Sequence, residues 1–123
     1  MTLIKLEDIP AERFNAFLVT QIAPDTFIEG IAGLDYVRVP PHSVSEVHRH
    51  NHSDNVIYIV RGSASAVLDG VEHEVHPGMR VTIAKAVSHG FRTKDEELEF
   101  VSIQIPPILD KKNNVFDREI VIP

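Results

Sequence analysis

The sequence predicts an all-β sandwich or barrel, and three observations point to it. Short runs rich in Val, Ile, Phe and Tyr recur at 34–39, 56–60, 63–68, 71–75, 80–83 and 98–105. Turn residues separate them: Gly62, the pair Asp69-Gly70 and the pair Pro77-Gly78. Helical patterning is scarce. Runs of this length with glycine, proline and aspartate between them are strand signals, and several in close succession suggest two packed sheets or a closed barrel.

Asp69-Gly70 lies between two strand runs and predicts a tight hairpin in which both residues take positive φ. Pro77-Gly78 predicts a turn ahead of the strand at Val81. Segment 10–17 has room for one or two helical turns, with Pro10 near the first helical position. Segment 109–114 is polar and reads as a loop, and 115–122 reads as a further strand.

The 123 residues amount to one domain, 1–123, long enough to bury a core without cross-links. The hydrophobic fraction of 43% and the charged fraction of 24% are those of a globular protein. With no cysteine, disulfides and thiolate metal sites are excluded, and the composition suits a reducing compartment. No apolar run reaches the length of a membrane span. Lys5, Glu7 and Asp8 interrupt any secretory-signal core. A cytoplasmic protein is therefore expected. The net charge of −6, with lysines and arginines scattered, argues against a nucleic-acid surface.

Four of the seven histidines, His42, His48, His50 and His52, fall within eleven residues. In a strand, alternate side chains share a face about 7 Å apart along the chain. The imidazoles of His48 and His50 can therefore tilt toward one ion, at about 2.0–2.1 Å from each nitrogen. An isolated His-x-His is equally a solvated strand end. The second half of the pattern is His89-Gly90-Phe91, which follows the Pro77-Gly78 turn and a strand. Folded back through 85–88, His89 approaches the first pair.

Together these motifs resemble those of the cupin superfamily. His48, His50, Asn55 and Gly62 fall on the spacing of its first motif, and the stretch from Pro77-Gly78 to His89-Gly90-Phe91 on that of its second. The resemblance covers roughly residues 34–105. It implies a jelly-roll β-barrel with a core over about 34–105 and terminal strands on either side. It also implies a divalent metal ion (Fe, Mn, Zn, Ni or Co), a small-molecule ligand and a homodimer, in which 2–6 and 115–122 are candidates for exchanged strands. Dioxygen chemistry, isomerisation and elimination next to a carboxylate are the activities it brings.

Metal-binding members of the family usually carry Glu as the fourth ligand where this chain has Asn55. Two residues are candidates for that position: Asn55 through its amide oxygen, and His52, which continues the alternation from His48 and His50. A shell of neutral ligands leaves the ion's full +2 charge in place and favours an anionic exogenous ligand. Glu46, Tyr58 and Phe91 are candidate pocket residues, as is His52. Asp54 is a candidate for orienting an imidazole, whereas His42, His73 and His76 read as surface residues. No nucleophilic serine motif, phosphate-binding glycine loop or dinucleotide fingerprint is present. Three functions remain open: a metal-dependent enzyme on a small and anionic organic molecule, a non-catalytic binding or sensor barrel, and a metal-free barrel with a vestigial site.

Overall fold

The computed structural model describes residues 2–122. A single 3-10 turn, Leu6–Asp8, precedes thirteen strands: β1 (Ala11–Phe14), β2 (Phe17–Gln21), β3 (Gly33–Val39), β4 (His48–Arg49), β5 (Asp54–Arg61), β6 (Ala64–Leu68), β7 (Val71–Val75), β8 (Arg80–Ile83), β9 (His89–Thr93), β10 (Leu98–Ile105), β11 (Leu109–Asp110), β12 (Val115–Phe116) and β13 (Glu119–Ile120). They form a six-stranded sheet, β1-β2-β3-β10-β5-β8, and a five-stranded sheet, β13-β4-β9-β6-β7. The pair β11-β12 stands apart. Every pairing is antiparallel. The two sheets face each other as a jelly roll around one core.

The inward faces of the central strands change character along their length. In β3, Val39 and Val37 are buried at one end, and Asp35 follows them on the same face. In β5 the inward residues run Ile59, Ile57, Asn55, and in β10 Leu98, Phe100, Ser102, Gln104. Because strand side chains alternate between faces, these positions stack in register. Phe100 lies opposite Val37 and Ile59, and Gln104 opposite Gly33 and Asn55. One end of the barrel is thus plugged by aliphatic and aromatic side chains, including Val81 and Phe91. The other end is lined by polar groups and left hollow. Position along the strand, rather than face, separates core from site.

The turns follow their chemistry. Asp69 and Gly70 both have positive φ, 49° and 79°, as a two-residue hairpin between twisted strands requires. Gly62 has φ 82°, and a Cβ there would lie 2.0 Å from the carbonyl oxygen of Glu97, so no other residue fits.

Four sequence expectations are corrected. Segment 10–17 is a hairpin rather than a helical turn, because Ala11–Phe14 pairs with β2 across Asn15, whose φ is 56°. Segment 109–114 contains strand β11. Segment 115–122 is two short strands, and both pair within the chain, β12 with β11 and β13 with β4. At the other terminus 2–6 forms no strand, and Leu3 and Ile4 are exposed.

Candidate metal centre and its cavity

His48 and His89 are direct partners across the β4–β9 pairing, and His50 follows β4. The three rings cluster with centroids 4.4 Å (His48–His89), 5.0 Å (His48–His50) and 4.9 Å (His50–His89) apart. One ring nitrogen from each lies within 4.8 Å of the other two. All three residues are buried.

Each ring is oriented by a backbone carbonyl. Nδ1 of His48 meets Glu46 O at 3.0 Å, Nδ1 of His89 meets Val87 O at 3.0 Å, and Nδ1 of His50 meets Asp117 O at 2.6 Å. A carbonyl only accepts, so each Nδ1 carries the proton and each Nε2 keeps its lone pair. Burial pushes His48 down to about 4 and His89 to about 3, and His50 is also lowered by burial. Three neutral imidazoles with free Nε2 lone pairs, held together out of water, are what a borderline divalent ion needs. The donor set fits a metal.

The chain near the C-terminus completes this arrangement. Asp117 gives its carbonyl to His50 and its carboxylate to the backbone N–H groups of Asn51 (2.8 Å), His52 (2.9 Å) and Ser53 (3.0 Å). Burial raises the Asp117 pKa, but these donors outweigh it and hold the carboxyl below its usual range. Outside the barrel, Arg49 makes two hydrogen bonds to Glu119.

The histidines open into a cavity of about 100 Å³. Five of the chain's six phenylalanines line it: Phe14, Phe17, Phe91, Phe100 and Phe116. Its polar lining comprises Asp35, Asn55, Ser102, Gln104 and Arg118 besides the histidines. Four of these form a chain of hydrogen bonds. Gln104 Oε1 accepts the N–H of Ile108 (3.3 Å), which turns Gln104 Nε2 toward Asp35 Oδ2 (2.9 Å) and Ser102 Oγ (2.8 Å). Ser102 Oγ in turn donates to Asn55 Oδ1 at 2.8 Å. Gly33 makes room for this network, since a Cβ there would meet Gln104 Oε1 at 1.9 Å. Burial raises Asp35 to about 6, an effect its bond to Gln104 opposes.

Of the residues read from sequence as candidates, His48, His50, Asn55, His89 and Phe91 line this cavity, and Glu46, His52 and Tyr58 do not. His52 is turned outward because 51–53 bend around the Asp117 carboxylate, which ends the alternation begun at His48. Tyr58 sits on the outer face of β5, between the inward Ile57 and Ile59. Glu46 is exposed, and its carboxylate accepts from Asn15 Nδ2 at 2.6 Å. Asp54 accepts the N–H of Lys85 at 2.8 Å, supporting the loop that leads to His89 rather than an imidazole. Sequence reasoning missed Asp35, Asp117 and Arg118. Asp35 had a signal, a lone carboxylate in register with Val37 and Val39. Asp117 and Arg118 had none, because only tertiary contact brings them to the histidines.

Among curated proteins none matches the sequence. Among solved structures, the chain is similar to the polyketide cyclase RemF from Streptomyces resistomycificus, with 25% identity and a TM-score of 0.73 over 85% of this chain and 79% of that one. It is also similar in fold to a predicted oxalate decarboxylase from Thermotoga maritima, with 18% identity and a TM-score of 0.76 over 85% and 99% of the two chains. A Streptomyces nucleoside dehydratase solved with uridine shares the fold too, with 16% identity and a TM-score of 0.76 over 98% and 92%. No described helix is long and apolar enough to cross a membrane. The cupin-domain family matches residues 35–104, more than half of the sequence and the span carrying all three histidines. With that match, the two facing sheets and the histidine centre, the chain belongs to the cupin family.

Proposed function

We propose that this protein is a metal-dependent enzyme that moves a proton next to a carbonyl of a small, ring-bearing organic molecule. The observation that carries the reading is a cavity holding both a neutral three-histidine centre and a buried carboxyl, Asp35, raised to about 6. Buried titratable groups tuned toward neutrality are what proton transfer needs.

A divalent ion on His48, His50 and His89 would act as a Lewis acid on a ligand oxygen. Asp35, ionised above about pH 6, takes the proton from the carbon beside the carbonyl, and the C–H electron pair passes to the carbonyl oxygen. Returning the proton elsewhere gives isomerisation, loss of a β-substituent gives elimination, and attack on a second carbonyl gives ring closure. The phenylalanine walls exclude water and accept flat, apolar ring faces. A polyketide cyclase as a 25%-identical neighbour supports substrates of this kind.

The same reading includes a homodimer. The outer face of the six-stranded sheet carries two apolar rows in register across three strands, Leu34–Ile103–Val56 and Tyr36–Val101–Tyr58, as a sheet-to-sheet interface requires. Light scattering tests this, and a monomer at micromolar concentration refutes it.

Metal analysis of protein purified without a nickel column, followed by turnover of a panel of small ketones, diketones and keto acids, tests the enzyme reading. About one ion per chain, with turnover lost in Asp35→Asn, is expected. Oxygen uptake without proton exchange would favour a dioxygenase. Metal and ligand binding without turnover of any kind would favour a binding barrel, and absence of metal a vestigial site.

A further inference from the structure

We infer that Asn55 is a hydrogen-bond donor rather than a metal ligand, and that with Arg118 it makes the cavity selective for a ring-bearing oxyanion, a carboxylate or enolate. The inference rests on the metal reading above and names the class of molecule that reading leaves open.

The hydrogen-bond chain fixes the direction of the Asn55 amide. Gln104 uses its oxygen on the N–H of Ile108, so the group reaching Ser102 is its NH2. Ser102 Oγ accepts from that NH2 and gives its own proton to Asn55, so the Asn55 atom facing it is Oδ1. Nδ2 remains, with no protein partner among the described residues, on a side chain that lines the cavity beside the histidines. An amide nitrogen bears no lone pair suited to coordination but two protons suited to donation. Where a carboxylate would bring negative charge, this chain brings a donor.

Arg118 supplies the second contact. Its Nη2 is the one buried side-chain polar atom without a hydrogen-bond partner among the described residues. Glu46 Oε2, the nearest carboxylate oxygen paired with it, stands 3.8 Å away, beyond hydrogen-bond reach, and the other Glu46 oxygen is taken by Asn15. The Asp117 carboxylate, next in sequence, is consumed by three backbone N–H groups. A buried guanidinium nitrogen with a distant ion-pair partner but no hydrogen-bond acceptor costs free energy unless a ligand completes it, and its planar fork suits a carboxylate. Asp35 is the one carboxyl lining the cavity, and its Oδ2 is engaged by Gln104 Nε2. Five phenylalanines then select a ring to carry the anion.

Isothermal titration of the zinc-loaded full chain with benzoate and with its neutral isostere benzamide tests this, with the same titrations run on metal-free protein. Wild type should bind benzoate at least about ten-fold more tightly than benzamide. Arg118→Gln should lose about ten-fold in benzoate affinity and leave benzamide within about two-fold, while Arg118→Lys recovers part of the loss. Asn55→Ala should weaken benzoate while zinc content and zinc affinity stay at the wild-type level. No benzoate preference in wild type, or one untouched by Arg118→Gln in a folded variant, overturns the oxyanion assignment. Loss of zinc in Asn55→Ala overturns the donor assignment. If wild type takes up no zinc, the metal reading fails, and the benzoate preference of the metal-free protein still decides the role of Arg118.

Discussion

The barrel that the family match spans and the segments flanking it do different work at one cavity. Residues 35–104 contain the three histidines, Asn55 and the aromatic floor of Phe91 and Phe100. The flanks contribute Phe14, Phe17 and Val19 from one side and Ile108, Leu109, Phe116 and Arg118 from the other. The inner groups are strongly buried, whereas Phe116 is 48% exposed, and its ring contacts Phe14 across the mouth at 5.4 Å. On the proposed function, the barrel would decide whether an ion is held, and the flanks what approaches it. Asp117 is the exception that sharpens the division, since a flanking residue orients a ligand of the barrel.

Variants along this division should separate its two halves. The largest effect belongs to the barrel: His89→Ala should take metal content from about one ion per chain to near zero by elemental analysis, because two imidazoles remain in a site that needs at least three donors. Equal content in variant and wild type would break the division at its base.

Asp117→Ala should come next. It strips three backbone N–H groups, that of Ser53 buried and those of Asn51 and His52 partly so, of their acceptor and loosens 51–53 beside His50. A loss of about 2–4 kcal/mol by urea denaturation and a roughly 10–100-fold weaker metal affinity are expected. A variant that melts early yet keeps wild-type affinity would confine Asp117 to folding.

Asp35→Asn should change the pH dependence of stability in the metal-free protein. The folded-state pKa of Asp35 is raised from 3.8 to about 6, so its relative contribution is fully present below 3.8 and is lost as pH rises through about 6. The variant cannot ionise there. Its stability relative to wild type should therefore improve between about pH 4 and 6.5 by of order 2–3 kcal/mol, read by denaturation at each pH. Parallel curves would show that the carboxyl is not buried in solution.

The smallest effect belongs to the mouth. Phe116→Ala should cost under about 1 kcal/mol in stability, because half of its ring is already in water. Metal content should be unchanged, and affinity for ring-bearing ligands should fall several-fold. A metal loss comparable to that of His89→Ala would erase the distinction between the two regions.

What the sequence made legible follows the same boundary. His48, His50 and His89 could be read because a strand repeats every two residues, and Asp69-Gly70 because positive φ at two successive positions leaves few residue choices. Phe91 followed from its place two residues after His89. The extension of that alternation to His52 failed, because the Asp117 carboxylate gathers three consecutive N–H groups and bends the chain, and no local pattern in 48–54 encodes a partner at 117. Tyr58 was misplaced for want of the register that sets Ile57 and Ile59 inward. Segment 10–17 was ambiguous because its apolar residues are too few to show a period, and only pairing with β2 decides it. The flanks carry little periodicity of their own, and their contribution arises from where the barrel lets them dock.

The bond from His50 to Asp117 spans 67 residues, and this separation ties two equilibria together. Undocking of the segment around Asp117 frees the His50 ring to rotate and change tautomer, while His48 and His89 keep carbonyl partners two residues away, at Glu46 and Val87. Any ion that needs all three nitrogens must then bind the docked state more tightly than the undocked one, and by reciprocity it holds that segment down by the same factor. Exchange of such an ion and undocking of the segment around Asp117 would then be a single thermodynamic event, visible as amide-hydrogen protection at Asn51, His52 and Ser53 that rises with metal occupancy.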